Sequence, residues 1–414
     1  MIKTSYYQDL TKMNTFGMKV KARCFMEYDS VADLVDIEFE ELARPVLHIG
    51  GGSNLLFTDD FKGTVLHSKI NFIEILDECQ CITEAPSHPV MVSVGAGVVF
   101  DDFCDWAAKE GLWGVENLSH IPGEVGASAV QNIGAYGVEV KDVIRKVYCY
   151  DTQEEEFVHF DVEECGYGYR DSIFKDPEIK GRYIVTHVVF ALSRTADPHL
   201  EYGHLKEAVD CHFDRAERVE KSLTPALIRK VIIKIRKEKL PEPSAVGSAG
   251  SFFKNPVISP EHFARIEAAA KAEFGPDYNV PHYVIECQCV PETPSHSVGP
   301  SPEPAAAGFS LQRSTGPFAE SLERVGKCLL HTSGTPIHAE QRTMIKIPAA
   351  WMIEQCGWKG RRSGGAAVWE KQPLVIVNYT GEAYPEEITG LEKRIIASVK
   401  AKFGVDLHPE VEHI

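Results

Sequence analysis

Ser251, Lys254 and Asn255 stand within five positions of one another, directly after the small residues Gly247, Ala249 and Gly250. A hydroxyl can give or take a proton, an ammonium is a point charge, and an amide both donates and accepts. Glycine is entropically costly unless a special conformation or a close approach needs it, so the small run lets the backbone come near a ligand. The set suits a reacting anion. It also reads as a tight turn feeding Phe252 and Phe253 into a buried strand, so the stretch alone decides nothing.

Two further stretches offer backbone donors. Gly50-Gly51-Gly52-Ser53-Asn54 follows the short apolar run Val46 to Ile49, and successive N–H groups at such a strand end can cradle phosphate oxygens. The pattern is neither G-x-G-x-x-G nor a Walker loop, and no helix with a basic start follows, which disfavours a Rossmann unit. A hairpin turn is the other reading. Asn117 to Gly137 is a glycine-rich run too long to serve only as a connection. Its amides and backbone groups suit an extended cofactor with a diphosphate and a polar ring. Arg170 presents a planar fork that fits a carboxylate, or else a surface pair with Asp171.

The formal charge of −17 argues against a nucleic-acid partner, because phosphate backbones want a basic face. An anionic ligand would need a local set of Arg and Lys to overcome that repulsion. The segment Arg229 to Lys239 is the most basic in the chain and leads toward the Ser251 stretch. No run approaches the ~18 apolar residues that span a bilayer, and Met1 to Tyr7 has no apolar core of an export signal. Eleven scattered cysteines without C-x-x-C pairs point to free thiols in a reducing cytoplasm. A chain of 414 residues suggests two or three domains at roughly 150 residues each.

The elements expected to carry these groups are strands at 20–30, 46–49, 64–68, 90–94, 143–150, 157–160, 182–192 and 374–378. Helices are expected from Ser30 to Leu42, Phe100 to Lys109, Thr224 to Lys237, Pro260 to Phe274, Pro348 to Cys356 and Glu386 to Phe403. Pro241-Glu242-Pro243 reads as a hinge. Residues 275–345 lose periodicity, and Ser297 to Ser310 has the composition of a mobile insertion. Residues 78–90 and 286–298 echo each other at nine of thirteen positions, each with a C-x-C. Two such pairs can in principle bind a metal; a duplicated loop without a catalytic role is the reading adopted, with no metal.

Taken together, His48 to Leu56, Ile121 to Gly137, Tyr169 to Phe174, Gly250 to Pro256, Ala350 to Cys356 and Pro409 to Val411 resemble, in order, the UDP-N-acetylenolpyruvoylglucosamine reductase family, flavoenzymes of bacterial peptidoglycan precursor synthesis called MurB. Tyr169 and Glu201-Tyr202-Gly203 resemble its subgroup with a tyrosine loop over the substrate. Inserted regions near Cys79 and from about Val284 to Thr343 depart from the pattern.

The resemblance implies an α+β fold with the FAD-binding architecture of the vanillyl-alcohol oxidase type. Its two subdomains would be 1–68 and 69–240, followed by an α+β substrate domain at 241–414. It implies that NADPH reduces FAD, and that reduced flavin passes hydride to the enolpyruvyl double bond of the nucleotide sugar. Ser251 would then protonate C2, with Arg170 and Glu410 at the enolate. Tyr169, Tyr202, Arg236, Lys239, Lys254, Asn255 and Gln355 would bind substrate. Gly50, Gly51, Gly52, Ser53 and Asn54 would hold FAD together with Ile121, Pro122, Gly123, Gly126, Ala127, Ser128, Asn132, Gly134, Ala135, Tyr136 and Gly137. His48 and His120 are read as structural, so FAD is expected to be non-covalent, and the protein a monomer. A different flavin oxidase or dehydrogenase on the same fold, and a non-catalytic nucleotide-sugar binder, are the competing readings.

Overall fold

The computed structural model describes residues 1–76, 89–212, 223–289 and 340–414. The sequence echo and the expected mobile insertion fall largely or wholly outside these residues. The chain forms two compact units, Met1–Pro256 with Ala349–Ile414, and Val257–Pro348.

In the larger unit, the first sheet orders its strands Lys3–Asp9, Lys21–Tyr28, Phe61–Ser68 and Val46–Ile49. The first pairing is antiparallel and the next two are parallel. A second, antiparallel sheet runs Glu156–Asp161, Ile144–Asp151, Tyr183–Leu192, Val90–Gly95 and Ile73–Ile75. Tyr28 and Leu66 of the first sheet share one core with Tyr150 and Ile184 of the second. Fully burying such a side chain contributes about 1.5–3 kcal/mol. A third sheet pairs Gly247–Ser248, Ile376–Asn378, Ala366–Val368 and Arg362–Ser363, and the Pro385–Phe403 helix buries Ile388, Leu391, Ile395 and Val399. The smaller unit packs the Pro260–Phe274 helix with an antiparallel sheet of Val257–Ile258, Glu340–Lys346 and Tyr283–Cys289.

Three expectations need correction. The helix from Ser30 stops at Val35 although Ser30 caps it as foreseen. Leu34, Ile37 and Phe39 are all buried in one core, and residues two apart cannot share a helix face, so the chain unwinds to bury both Ile37 and Phe39. The 117–137 run is no continuous loop, for it contains the helix Val125–Gln131 and a small hairpin at Gly134–Ala135 and Val138–Glu139. Small side chains hid that helix: a Cβ on Gly126 would lie 2.9 Å from the Cβ of Ala96, so the helix sits on the sheet only because glycine is there. Residues 275–345 are not wholly aperiodic either. Tyr283–Cys289 and Glu340–Lys346 gain strand structure from pairing with each other, a context that local propensity does not encode.

Candidate active site

The Ser251 segment is held by backbone from two sides. Phe252 N–H donates to Leu374 O at 2.8 Å, Lys254 N–H to His408 O at 2.9 Å, and Glu410 N–H to Phe252 O at 2.8 Å. Phe252 and Phe253 are buried, while Ser251 remains partly exposed. The apolar pair therefore anchors the segment and leaves the hydroxyl at the wall of a cleft. The same pairing carries Glu410 alongside.

Arg170 arrives from a tight turn closed by mutual backbone bonds between Gly168 and Asp171. Its φ is 56°, a left-handed conformation that costs a non-glycine residue about 1–2 kcal/mol. Ser172 Oγ, donating to Val130 O at 2.6 Å, ties the turn down. The guanidinium donates from Nε to Glu410 Oε1 at 2.9 Å, and from its two terminal nitrogens to Asn132 O at 3.3 Å and Gly134 O at 2.5 Å. Five N–H groups minus these three leaves two without an acceptor among the described residues. The same pairing compensates the charge of Glu410.

Ser251, Arg170, Glu410 and Arg236 line one cleft of about 150 Å³. Arg236 is half-buried, donates from Nε to His120 O at 3.0 Å, and burial pushes its guanidinium down while Tyr136 opposes that shift. Arg229 also turns inward from the basic helix, pairing with Asp101 and Asp105. Arg229, one charge of that basic helix, is thus spent on ion pairs within the fold.

A second cleft, of about 180 Å³, is lined by Gly50, Gly51, Gly52, Ser53, Asn54, Pro122, Gly123, Gly126, Ala127 and Ser128. The two glycine stretches touch, with Ser53 Oγ donating to Pro122 O at 3.0 Å. Gly52 has φ +60°, and a Cβ there would meet Met13 O at 2.0 Å; no other residue fits. Both clefts share Ser53, Asn54, Pro122, Gln131 and Ile133.

Of the other expected residues, Ile121 and Gly134 line the Ser251 cleft rather than the glycine cleft. Asn132, Ala135, Tyr136 and Gly137 line neither. Asn132 is buried and bonds Gly168 O at 2.7 Å, bracing the Arg170 turn. Tyr202 meets Tyr136 edge-on at 6.2 Å. Tyr169 stacks under Arg170 and accepts from Asn255 Nδ2 at 3.4 Å; burial pushes its phenol up. Asn255 Oδ1 in turn accepts from Ala349 N–H. Tyr169, Tyr202, Lys239, Lys254, Asn255 and Gln355 lie outside the lining of the Ser251 cleft. Lys239 ends the basic helix, exposed, and the Gln355 carbonyl accepts from Lys402. Glu124 and Gln131 line the glycine cleft without having been named as site residues; Gln131 is one of the amides of the 117–137 run, and nothing marked Glu124. His48 is bonded to Tyr28 Oη at 2.6 Å, and burial holds its imidazole at about 4.

Residues 242–414 match the C-terminal domain of UDP-N-acetylenolpyruvoylglucosamine reductase, and residues 23–160 match an FAD binding domain. The reductase of that name from Bacteroides fragilis is 42% identical over 406 residues, covering 98% of each chain. The chain belongs to the UDP-N-acetylenolpyruvoylglucosamine reductase family. The reductase of Porphyromonas gingivalis is 37% identical over 410 residues, covering 98% of this chain and 97% of its own. In fold, the crystal structure of the Thermus caldophilus reductase superposes with a TM-score of 0.55 at 19% identity, covering 100% of this chain and 98% of that one. The α+β, FAD-binding fold class read from the sequence is met.

The glycine cleft suits the FAD that this family's domain implies. Gly50 to Ser53, Gly123, Gly126, Ala127 and Ser128 give part of its wall backbone and small side chains, alongside Phe100 and Tyr183, and Gln131 Nε2 is buried without a partner among the described residues. Among the described residues, no group of three or more His, Cys, Asp or Glu is placed to hold a metal ion.

Proposed function

We propose that this chain carries out the NADPH-dependent reduction of UDP-N-acetylenolpyruvoylglucosamine to UDP-N-acetylmuramate, a step of peptidoglycan precursor synthesis. The observation that carries the reading is the meeting of Ser251, Arg170 and Glu410, far apart in sequence, on one cleft that adjoins a glycine-lined one. Bound FAD, reduced by NADPH, supplies the hydride for C3 of the enolpyruvyl ether.

The chain's own residues handle the consequences. Charge left at C2 spreads into the neighbouring carboxylate as an enolate, and the two spare N–H groups of Arg170 are fixed in advance to stabilise it, the electrostatic preorganisation that commonly dominates catalysis. Glu410, already bonded to Arg170 Nε, fixes the plane of that guanidinium and assists the enol form. Ser251 then gives its proton to C2; a hydroxyl is a weak acid, but a carbanion-like carbon is a strong base. Tyr202, Lys239, Lys254 and Asn255 serve the substrate diphosphate, with Tyr169, Arg236 and Gln355 as further contacts.

Gly50 to Asn54 and the Ile121–Gly137 segment hold FAD without a covalent link, as His48 is committed to Tyr28. The proposed division at 68 and 240 is supported in its last boundary by the family match from residue 242. No described helix is long and apolar enough to cross a membrane. A monomer in the cytoplasm acting on a small nucleotide sugar is the arrangement we adopt.

Stopped-flow spectroscopy tests the reading. NADPH should bleach the yellow protein, and the enolpyruvyl nucleotide sugar should restore the colour rapidly. Bleaching without recovery would favour another flavin dehydrogenase, and a colourless protein a simple binder.

A further inference from the structure

We propose that Lys175 is a positioning residue that sets Gln131 to donate a hydrogen bond to the isoalloxazine ring of bound FAD. This rests on the FAD reading above. Lys175 Nζ donates to Gln131 Oε1 at 2.9 Å and to the Arg170 carbonyl at 3.0 Å. A lysine ammonium has no acceptor, so the amide oxygen must face it and the amide NH2 must face away. That NH2 group is buried and has no partner among the described residues. Leaving a buried donor unpaired is costly, so its partner comes from a ligand.

Its place says which ligand. Gln131 lines both the glycine cleft and the Ser251 cleft, the seam where a ring held by the first must present itself to substrate held in the second. Lys175 is itself partly buried; burial lowers its pKa, and the charge of Lys254 lowers it further, against Asp171, Glu410 and Glu412. A cation kept in such a place has a task, and its second bond shows a related one: it holds the carbonyl of Arg170 in the left-handed turn. One ammonium thus orients a group at each cleft.

An N–H donor facing the ring binds more tightly as electrons enter it, so losing the donor disfavours the reduced form. Gln131→Leu should retain FAD and lower its midpoint potential, measured without substrate. Loss of one hydrogen bond corresponds to about a tenfold change in preference, or about 30 mV for a two-electron couple. Lys175→Met should reproduce the shift, Lys175→Arg should restore part of it, and Gln131→Leu with Lys175→Met should add nothing further. Where Lys175→Met does not fold, Lys175→Gln carries the same test, because its shorter amide cannot span to both carbonyls. Bound FAD with an unchanged potential in Gln131→Leu overturns the proposal, as does an unchanged potential in the Lys175 variants. A wild-type protein that holds no FAD would sink the cofactor reading itself, a distinguishable outcome.

Discussion

In the proposed reaction Ser251 is asked to do what a hydroxyl does poorly in water. Backbone on both sides holds the segment, so a proton from Ser251 would be delivered from a fixed point. Ser251→Ala should leave bleaching by NADPH unchanged and slow product formation by about 10²–10⁴, the range for a positioned general acid; a normal turnover rate in the steady state would remove its role. At this scale much was readable. Ser251 carries a chemically meaningful type beside glycine and Arg170 is a lone fork beside a turn, whereas Glu410 entered only through the family resemblance. Gln131 was not readable as a site residue, because its significance is an unpaired atom, which exists only once the neighbours are in place. Asn132 shows the opposite: its amide reads as available for a ligand in the sequence, and in the fold its NH2 donates to the carbonyl of Gly168.

The elements that bring these residues together include two whose stability can be probed. The strand Glu412–His413 lies parallel to Leu55–Leu56, just beyond Glu410, and His413 Nε2 meets the buried Glu392 at 3.0 Å. The hydrogen bond to Glu392 raises the imidazole pKa above its ordinary value, against burial and Lys393. A raised histidine stabilises most below its unfolded pKa, about 6.5, and the contribution fades as pH rises through the folded value. Melting curves of the protein and of His413→Gln should therefore differ most at mildly acidic pH and converge at alkaline pH; a constant gap would show that the pair contributes nothing. The second element is the Val125–Gln131 helix. Gly126→Val would drive its side chain into Ala96, and overpacking of this kind costs about 1–3 kcal/mol. A lower denaturation midpoint with weakened FAD retention is expected, whereas an unchanged midpoint would mean the helix can lift. That helix escaped the sequence reading because VGASAVQ has too little apolar bulk to show a period. The long Pro385–Phe403 helix was plain, since Ile388, Leu391, Ile395 and Val399 repeat along one face.

For the whole molecule, an acidic chain of charge −17 that binds anions relies on guanidiniums placed in clefts rather than on its surface field. Arg170 and Arg236 are both in the Ser251 cleft, which fits. FAD should also contribute directly to stability. At a free concentration one hundred times its dissociation constant, a ligand specific to the folded state adds about 2.7 kcal/mol. Stripping FAD should lower the melting temperature, and returning it should raise that temperature in a concentration-dependent way; a melt indifferent to FAD would place the cofactor elsewhere.

Asn54 and Glu410 are joined directly, side-chain nitrogen to carbonyl at 3.0 Å, across 356 residues of sequence. A ribosome adds about 5–20 residues per second, so the glycine stretch emerges about 20–70 s before the strand that will flank it. Until then Leu55 and Leu56 have no partner at residues 412–413, and the carboxylate meant for Arg170 has not been made. Nascent chains released early should thus be able to fold their first sheets and still be inert.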